Sequence, residues 1–445
     1  MQDTGELEAL VDLKPFKATI LNPELEERAK LVCPVYDTID AHQYERYAAE
    51  EDNVIHVTTR KEGIPEREFV ESAVGDLARF FEDGILRERA NPAFYIYGVR
   101  YQLSEELREQ IPAEARRELY FAFGLVALVR VGELTGEEIV GHEKVFTKKT
   151  QERYQLMRAS GMNFSPIVAE YSMPDHAINR LFEEYLGFRR PDLKLDTRRM
   201  PLVDVELNGT RHLLWEVADN DLIARIQALM REKRLLILDG HHRYTASCQL
   251  SRDQQEGTAY TLMMLMEGED RALLLLPWHR CVKRCRLEEL WRRLEEYFAV
   301  VPYAKREGNA LVHAQLNQSP AAEFDVRFGM YDGDRYYLLH ADEQRIKRLA
   351  AERGERVGLD VISLHEWLIE PTLMGNPEDE VVFTASPRDA IAKVDSGAYA
   401  VAFFLKPLRI AEVEYKAHVE KKAFPQKSTR FLPKVAEGIV MWKWR

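Results

Sequence analysis

A mixed α/β architecture, α+β in class, with a second α/β domain at the carboxyl end, is what the hydrophobic patterning predicts. Three observations carry it. Short apolar runs rich in β-branched and aromatic residues alternate with amphipathic stretches of helical length. The chain has 445 residues, enough for two or three domains. Near residue 287 the pattern changes, where the long amphipathic segment from Leu287 to Phe298 opens a new region. The expected division is therefore 1–286 and 287–445. No repeat period or low-complexity linker marks the boundary.

In chain order, the first ninety residues mix short extended pieces with helices. Phe69, Ala73, Leu77 and Phe80 share one face of a helix expected from Glu66 to Glu82. Phe94 to Tyr97 and Phe121 to Val131 are expected as paired strands around the polar, helix-leaning segment 104–118. A turn from Gly141 to Lys149 leads into a helix from about Gln151 to Ala159. Strand, helix, strand and helix follow at Leu213–Val217, Asp221–Glu232, 235–238 and 241–252. Tyr260–Met266 and Ala272–Leu276 suit buried strands, with Gly268 marking a hairpin-like link. In the second region, Asp332-Gly333 is a hairpin signal, Val361–Leu368 a helix, and Val381–Thr384 and Tyr399–Leu405 strands flanking another helix.

The formal net charge is −12, which argues against general nucleic-acid binding, because neutralising a duplex backbone needs a basic face. No apolar run reaches the ~18 residues of a membrane span, and the start Met1-Gln2-Asp3-Thr4-Gly5-Glu6 lacks a secretory pattern. A cytoplasmic protein without a membrane partner is expected; a homo-oligomer is left open. Cys33, Cys248, Cys281 and Cys285 form no paired knuckles, so a disulfide framework is not expected. Cys281 and Cys285 beside His279 lack a second ligand pair for a metal, and the stretch suits a strand leaving the core. His365-Glu366 lacks the second histidine a zinc protease needs.

The most informative stretch is Leu235-Leu236-Ile237-Leu238-Asp239-Gly240-His241-His242-Arg243-Tyr244. Four aliphatics make a buried strand, Gly240 permits a tight turn, and a helix starts at His241. Helix-start amides lack intrahelical partners and the helix dipole favours negative charge, so Gly240, His241, His242 and Arg243 form an anion-site candidate. Asp239 has two readings: as N-cap it would satisfy those amides, and turned outward it would hold Mg²⁺ accompanying a phosphate. The plainer alternative is a polar turn with Arg243 paired to a carboxylate.

Other constellations add to this candidate. His142-Glu143-Lys144 precedes Lys148, Lys149, Arg153 and Arg158 on the next helix. A carboxylate among cations stays ionised and suits a base orienting a hydroxyl, while the cations suit phosphate oxygens. The alternative is a solvated helix face. Asn163-Phe164-Ser165-Pro166 offers Asn163 and Ser165 on a sharp turn, and Tyr36-Asp37 places a carboxylate at a bend where Mg²⁺ could bind. Phe424-Pro425-Gln426-Lys427-Ser428-Thr429 sets Lys427, Ser428 and Thr429 in one polar loop, without the glycines of a Walker A loop.

The turn at Gly240-His241-His242-Arg243-Tyr244 resembles the Gly-Cys-His-Arg-Tyr turn of sulfiredoxins and the related turn of ParB-like domains, which contacts nucleotide phosphates. His241 stands where sulfiredoxins have cysteine, so the resemblance implies the nucleotide cradle and not the redox chemistry. Pro34-Val35-Tyr36-Asp37, Gly141-His142-Glu143, Asn163-Phe164-Ser165-Pro166, Asp239 to Tyr244, Leu276-Pro277-Trp278-His279-Arg280 and Pro425-Gln426-Lys427-Ser428-Thr429 together resemble the domain of unknown function 1015 family. Two departures are Cys33 before Pro34, where two prolines are commoner, and Trp278 in the Leu-Pro-x-His-Arg element. The implied core is ParB/sulfiredoxin-like, a superfamily that includes kinases of free serine. That implies a small-molecule kinase: ATP or ADP phosphates on Gly240 to Arg243, Mg²⁺ on Asp239 or Asp37, Glu143 receiving the acceptor proton, and His142 and His242 as catalytic candidates. A nucleotide-responsive regulatory protein without turnover and a phosphate-ester hydrolase are the alternatives.

Overall fold

The aliphatic strand Leu235–Asp239 is buried because it lies inside a nine-stranded sheet. The molecule is a computed structural model that describes residues 11–134, 137–143, 147–189, 199–254, 256–316, 326–341, 343–352, 360–420, 424–425 and 427–445. Along this sheet the order is Val203–Leu207, Thr210–Val217, Phe94–Tyr101, Tyr120–Arg130, Tyr260–Glu267, Ile167–Tyr171, Leu235–Asp239 and Ile139–Gly141; Leu13–Lys14 also pairs with Tyr120–Arg130. Tyr260–Glu267 runs parallel to Ile167–Tyr171, and Leu235–Asp239 parallel to Ile139–Gly141, while the other pairs are antiparallel.

Both faces of the sheet are covered, which explains why Tyr120–Arg130 is apolar almost throughout rather than alternating. Ala122, Val126 and Leu128 enter one core, whereas Phe123, Leu125, Ala127 and Val129 enter another. The second core is closed by Ala177–Leu186 and Asn220–Met230, which bury Ile178, Leu181, Phe182, Leu222, Ile223 and Ile226. Each fully buried aliphatic contributes about 1.5–3 kcal/mol before the entropy cost of ordering.

A six-stranded sheet forms the other half, in the order Phe298–Ala304, Arg335–Ala341, Arg327–Tyr331, Val401–Phe404, His279–Val282 and Val381–Thr384. The Asp332-Gly333 hairpin joins Arg327–Tyr331 to Arg335–Ala341 as expected. The fold is thus α+β, with a mixed nine-stranded sheet, an antiparallel six-stranded one and helices on their faces.

Several expectations need correction. Gly268 does not join two paired strands: Tyr260–Glu267 stays in the large sheet, and Leu274–Leu276 pairs instead with Arg430–Leu432. Apolar strand character does not name the partner, and the partner lies far away in sequence. Segment 104–118 is helical only at Glu105–Glu109, with a 3-10 turn at Ala113–Ala115. The expected turn at Asn163 is preceded by a paired segment, Met162–Asn163, held by Met441–Lys443. The helix at 361–368 contains a π-helical stretch, Leu364–Ile369, after Asp360–Ser363.

Strand pairing crosses residue 287 in both directions. His279–Val282 belongs to the six-stranded sheet, whereas Ala436–Glu437 pairs with Cys33–Pro34, and Met441–Lys443 with Ala18–Leu21 and Met162–Asn163. We propose two units, with the second opening at His279 rather than at 287 and the strands from Arg430 onward folding as part of the first. Among the described residues no helix is long and apolar enough to cross a membrane.

Candidate functional site

The strand-to-helix turn has the geometry its residue types require. Gly240 adopts φ +91°, and a Cβ there would lie 2.8–3.0 Å from the Arg243 guanidinium, so only glycine fits without strain. The helix His241–Arg252 follows at once, with Gly240 at its cap and, among the described residues, no side-chain cap hydrogen bond. A register shift between Ile237 and Asp239 in the pairing with Ile167–Tyr171 frees the strand end to turn Asp239 aside.

At this strand end lies a cavity of about 440 Å³. Its wall brings together segments far apart in sequence: Tyr36, Asp37 and Thr38; Glu143 and Lys149; the 238–243 turn; Trp278; and the 427–434 loop. Five cationic side chains line it, Lys149, Arg243, Lys427, Arg430 and Lys434, against three carboxylates, Asp37, Glu143 and Asp239. The excess of positive charge favours an anion.

Asp239 neither caps the helix nor points away from protein cations. Its Oδ2 accepts from Arg243 Nη2 at 2.9 Å, and its Oδ1 from Lys434 Nζ. Burial pushes this carboxyl up, but Lys434 and Arg243 outweigh it and hold it at about 2. Arg243 is likewise committed: Nη1 donates to Ser165 Oγ at 2.7 Å and to the Pro166 carbonyl at 2.8 Å. It ties the turn to the Ser165-Pro166 segment.

The histidines are neutral. Burial lowers the His241 pKa well below its ordinary value, with His142 adding to the effect. Its Nε2 accepts the His142 backbone N–H at 3.4 Å. Burial, then Lys149, brings His242 down to about 4, and its Nδ1 lies 3.1 Å from Thr150 Oγ1. His142 is fully buried, and burial lowers its pKa as well. Its Nδ1 lies 2.9 Å from the Ile237 carbonyl, which can only accept; Nδ1 therefore carries the proton, and Nε2 accepts from Thr429 Oγ1 at 2.6 Å.

Glu143 faces the cavity with its side chain 18% exposed. Oε1 accepts the backbone N–H groups of Ser428 at 3.0 Å and Thr429 at 3.1 Å. Among the described residues Oε2 has no protein partner.

The expected residues thus divide. Glu143, Asp37, Asp239, Gly240, His241, His242, Arg243, Lys427 and Thr429 line the cavity. Lys148 is exposed on its helix outside the wall, where Lys149 takes the place expected of it, because one residue turns a helix by about 100°. Arg153 and Ser165 border a separate recess of about 20 Å³ behind Tyr36 and Arg243. Arg153 Nη1 donates there to the Thr58 carbonyl at 2.7 Å. Asn163 also borders it, with Oδ1 accepting the Leu262 N–H at 3.0 Å. Ser428 is buried and contributes its amide, while its hydroxyl bonds the Pro425 carbonyl. Lys144 and Gln426 lie outside the described residues. Sequence reading missed Arg430, Lys434 and Trp278 as wall residues; only their closeness to the Lys427 loop and the Leu276 to Arg280 motif pointed there.

Of the two carboxylates expected to hold Mg²⁺, Asp37 and Asp239, Asp37 is the one left uncommitted among the described residues. Among the described residues no cluster of three His, Cys, Asp or Glu is placed to hold a metal. Mg²⁺ needs only one or two carboxylates besides phosphate and water. Asp239 is already neutralised by two cations, whereas the exposed Asp37 carboxylate has no ion-pair partner among the described residues. All four cysteines are free and buried.

A search of curated proteins gives no match. Among solved structures, the chain is similar to free serine kinase in complex with AMP, at 14% identity and TM-score 0.32, covering 66% of this chain and 83% of that one. A conserved hypothetical protein from Pyrococcus furiosus matches at 14% identity and TM-score 0.30, covering 66% and 86%. SbnI with a C-terminal truncation, from Staphylococcus aureus, matches at 13% identity and TM-score 0.35, covering 70% and 85%. Residues 13–362 match the family model described as protein of unknown function DUF1015, and with most of its length so covered the chain belongs to that family.

Proposed function

We propose that the protein is a nucleotide-dependent phosphotransferase acting on a small hydroxyl metabolite, with a ParB/sulfiredoxin-like core and free serine as the first acceptor to test. One observation carries this reading: Glu143, fixed through Oε1 by two backbone amides, faces a cavity whose wall carries Lys149, Lys427, Arg430 and Lys434 beside a helix start. Phosphoryl transfer needs alignment and charge neutralisation more than covalent help, and these are the parts present.

In this scheme the phosphates of ATP or ADP sit against the His241–His242 helix start and the four cations. The acceptor hydroxyl oxygen attacks the terminal phosphorus, the bond to the nucleotide's bridging oxygen breaks, and the hydroxyl proton passes to Glu143 Oε2. Asp37 is the residue that would hold Mg²⁺, which would neutralise phosphate oxygens. Arg243 and Asp239 hold the turn rather than the ligand. His142 orients Thr429, and neutral His242 lines the wall. Solved structures of free serine kinase, including a mutant in complex with ADP, give the choice of first substrates.

The test is label transfer from ATP or ADP to a panel of hydroxyl metabolites, with Glu143→Gln alongside the wild type. We expect the variant to bind nucleotide within about threefold of wild type and to lose roughly 10²–10⁴-fold in rate. If nucleotide binds tightly and no acceptor gains label, the transferase reading fails. Phosphate release without an acceptor would point to hydrolysis, and ligand-dependent association without turnover to regulation.

A further inference from the structure

The Leu276 to Arg280 motif has no part in the transfer scheme, yet it contains one of the largest fully buried side chains, Arg280, at 0% exposure. Its guanidinium is shared among three segments. Nε donates to His365 Nε2 at 3.2 Å, Nη1 to the Trp278 carbonyl, and Nη2 to the Lys427 carbonyl at 3.0 Å. No carboxylate forms an ion pair with it among the described residues. Burial lowers its pKa to about 9, so it stays charged near neutrality. A buried cation without a paired anion is costly, and one that satisfies only carbonyl and imidazole acceptors calls for a reason.

The reason lies in a single peptide unit. The Lys427 carbonyl and the Ser428 N–H belong to the same planar trans amide, so they point in opposite directions. Arg280 holds the carbonyl end, and Glu143 Oε1 accepts from the N–H end at 3.0 Å. Fixing one end fixes the direction of the other, and a cation on the carbonyl polarises the N–H as a donor. Lys427 itself adopts φ +52°, a left-handed conformation unusual for a side chain of this kind, so the turn needs an external hold.

We propose that Arg280 is a positioning residue that aims the Glu143 carboxylate through the Lys427–Ser428 peptide plane. The inference rests on the reading of Glu143 as proton acceptor. The variant to make is Arg280→Lys, which keeps the charge but cannot span three acceptors; folding is checked by circular dichroism. In the transfer assay kcat falls about tenfold or more, while the KM for nucleotide stays within about threefold. Independently of activity, hydrogen exchange at the Ser428 and Thr429 amides accelerates about tenfold or more. A merely structural arginine would lower the melting temperature and leave kcat per folded molecule and these two amides unchanged, and that result overturns the proposal. If the wild type transfers phosphate to nothing, the functional reading fails, and the exchange measurement still decides the positioning role. Should Arg280→Lys not fold, His365→Asn loosens one of the three grips; it should move kcat and exchange in the same direction by less, and no movement in either overturns the proposal.

Discussion

Arg243 and Lys149 both line the cavity, but they do different work. Arg243 is buried, with bonds to Ser165, Pro166 and Asp239, so Arg243→Met leaves the Asp239 carboxylate short of a partner and the Ser165 segment untied. Breaking a buried pair from one side costs about 3–5 kcal/mol. Lys149 is exposed on its helix; Lys149→Met should leave stability within about 0.5 kcal/mol of wild type and weaken nucleotide binding about tenfold. Urea unfolding and calorimetric titration separate the two. Equal stability losses would show that the division between clamp and ligand is wrong. The sequence left two partners open for Arg243, a phosphate and a carboxylate, and the structure pairs it with Asp239: residue type announces a strong donor, whereas its pairing with Asp239 depends on where the carboxylate turns.

At the scale of elements, the strand, turn and helix around Gly240 were legible almost residue for residue, with the helix expected at 241–252 and found at His241–Arg252. The same holds for Glu66–Glu82 and Leu287–Tyr297, where helical periodicity is sustained over several turns. Gly240→Ala tests the turn. A Cβ at φ +91° strains the backbone by about 1–2 kcal/mol and meets the Arg243 guanidinium, so Arg243 must shift. We expect a melting temperature lowered by several degrees and weaker nucleotide binding; an unchanged pair of values would mean that neither the strain nor the close approach matters. Partner choice was not legible. Leu274–Leu276 has the same apolar character whether it pairs with its sequence neighbour or with Arg430–Leu432, because period reports burial and not identity of the neighbouring strand.

For the whole molecule, the buried histidines set an acid limit. Burial brings His212, His242 and His313 to about 4 and His365 to about 3, below the roughly 6.5 of an unfolded chain. A depressed histidine binds its proton more readily when unfolded, so stability is full above about pH 6.5 and falls as pH drops toward 4. Asp239, at about 2, adds a later loss as pH falls from about 4 toward 2. The melting temperature should decline steadily between about pH 6.5 and 4, and unfolding at about pH 5 should take up about one proton per histidine from these four. A flat profile across that window contradicts the assignment of neutral buried imidazoles.

What the sequence by itself determined is the local part: which runs are strands or helices, that Gly240 permits a tight turn, and that a carboxylate, cations and a helix start are available for an anion. These follow from periodicity and from backbone sterics, which act within a few residues. Only the tertiary structure decided which of them meet. Lys434 reaches Asp239, the Ser428 and Thr429 amides reach Glu143, and Lys149 rather than Lys148 joins the wall. The first two depend on the return of the last strands to the first sheets, where Met441–Lys443 and Ala436–Glu437 pair with segments near the beginning of the chain. Non-local pairing leaves no periodic trace in either partner, so the site exists only once the two ends have come together.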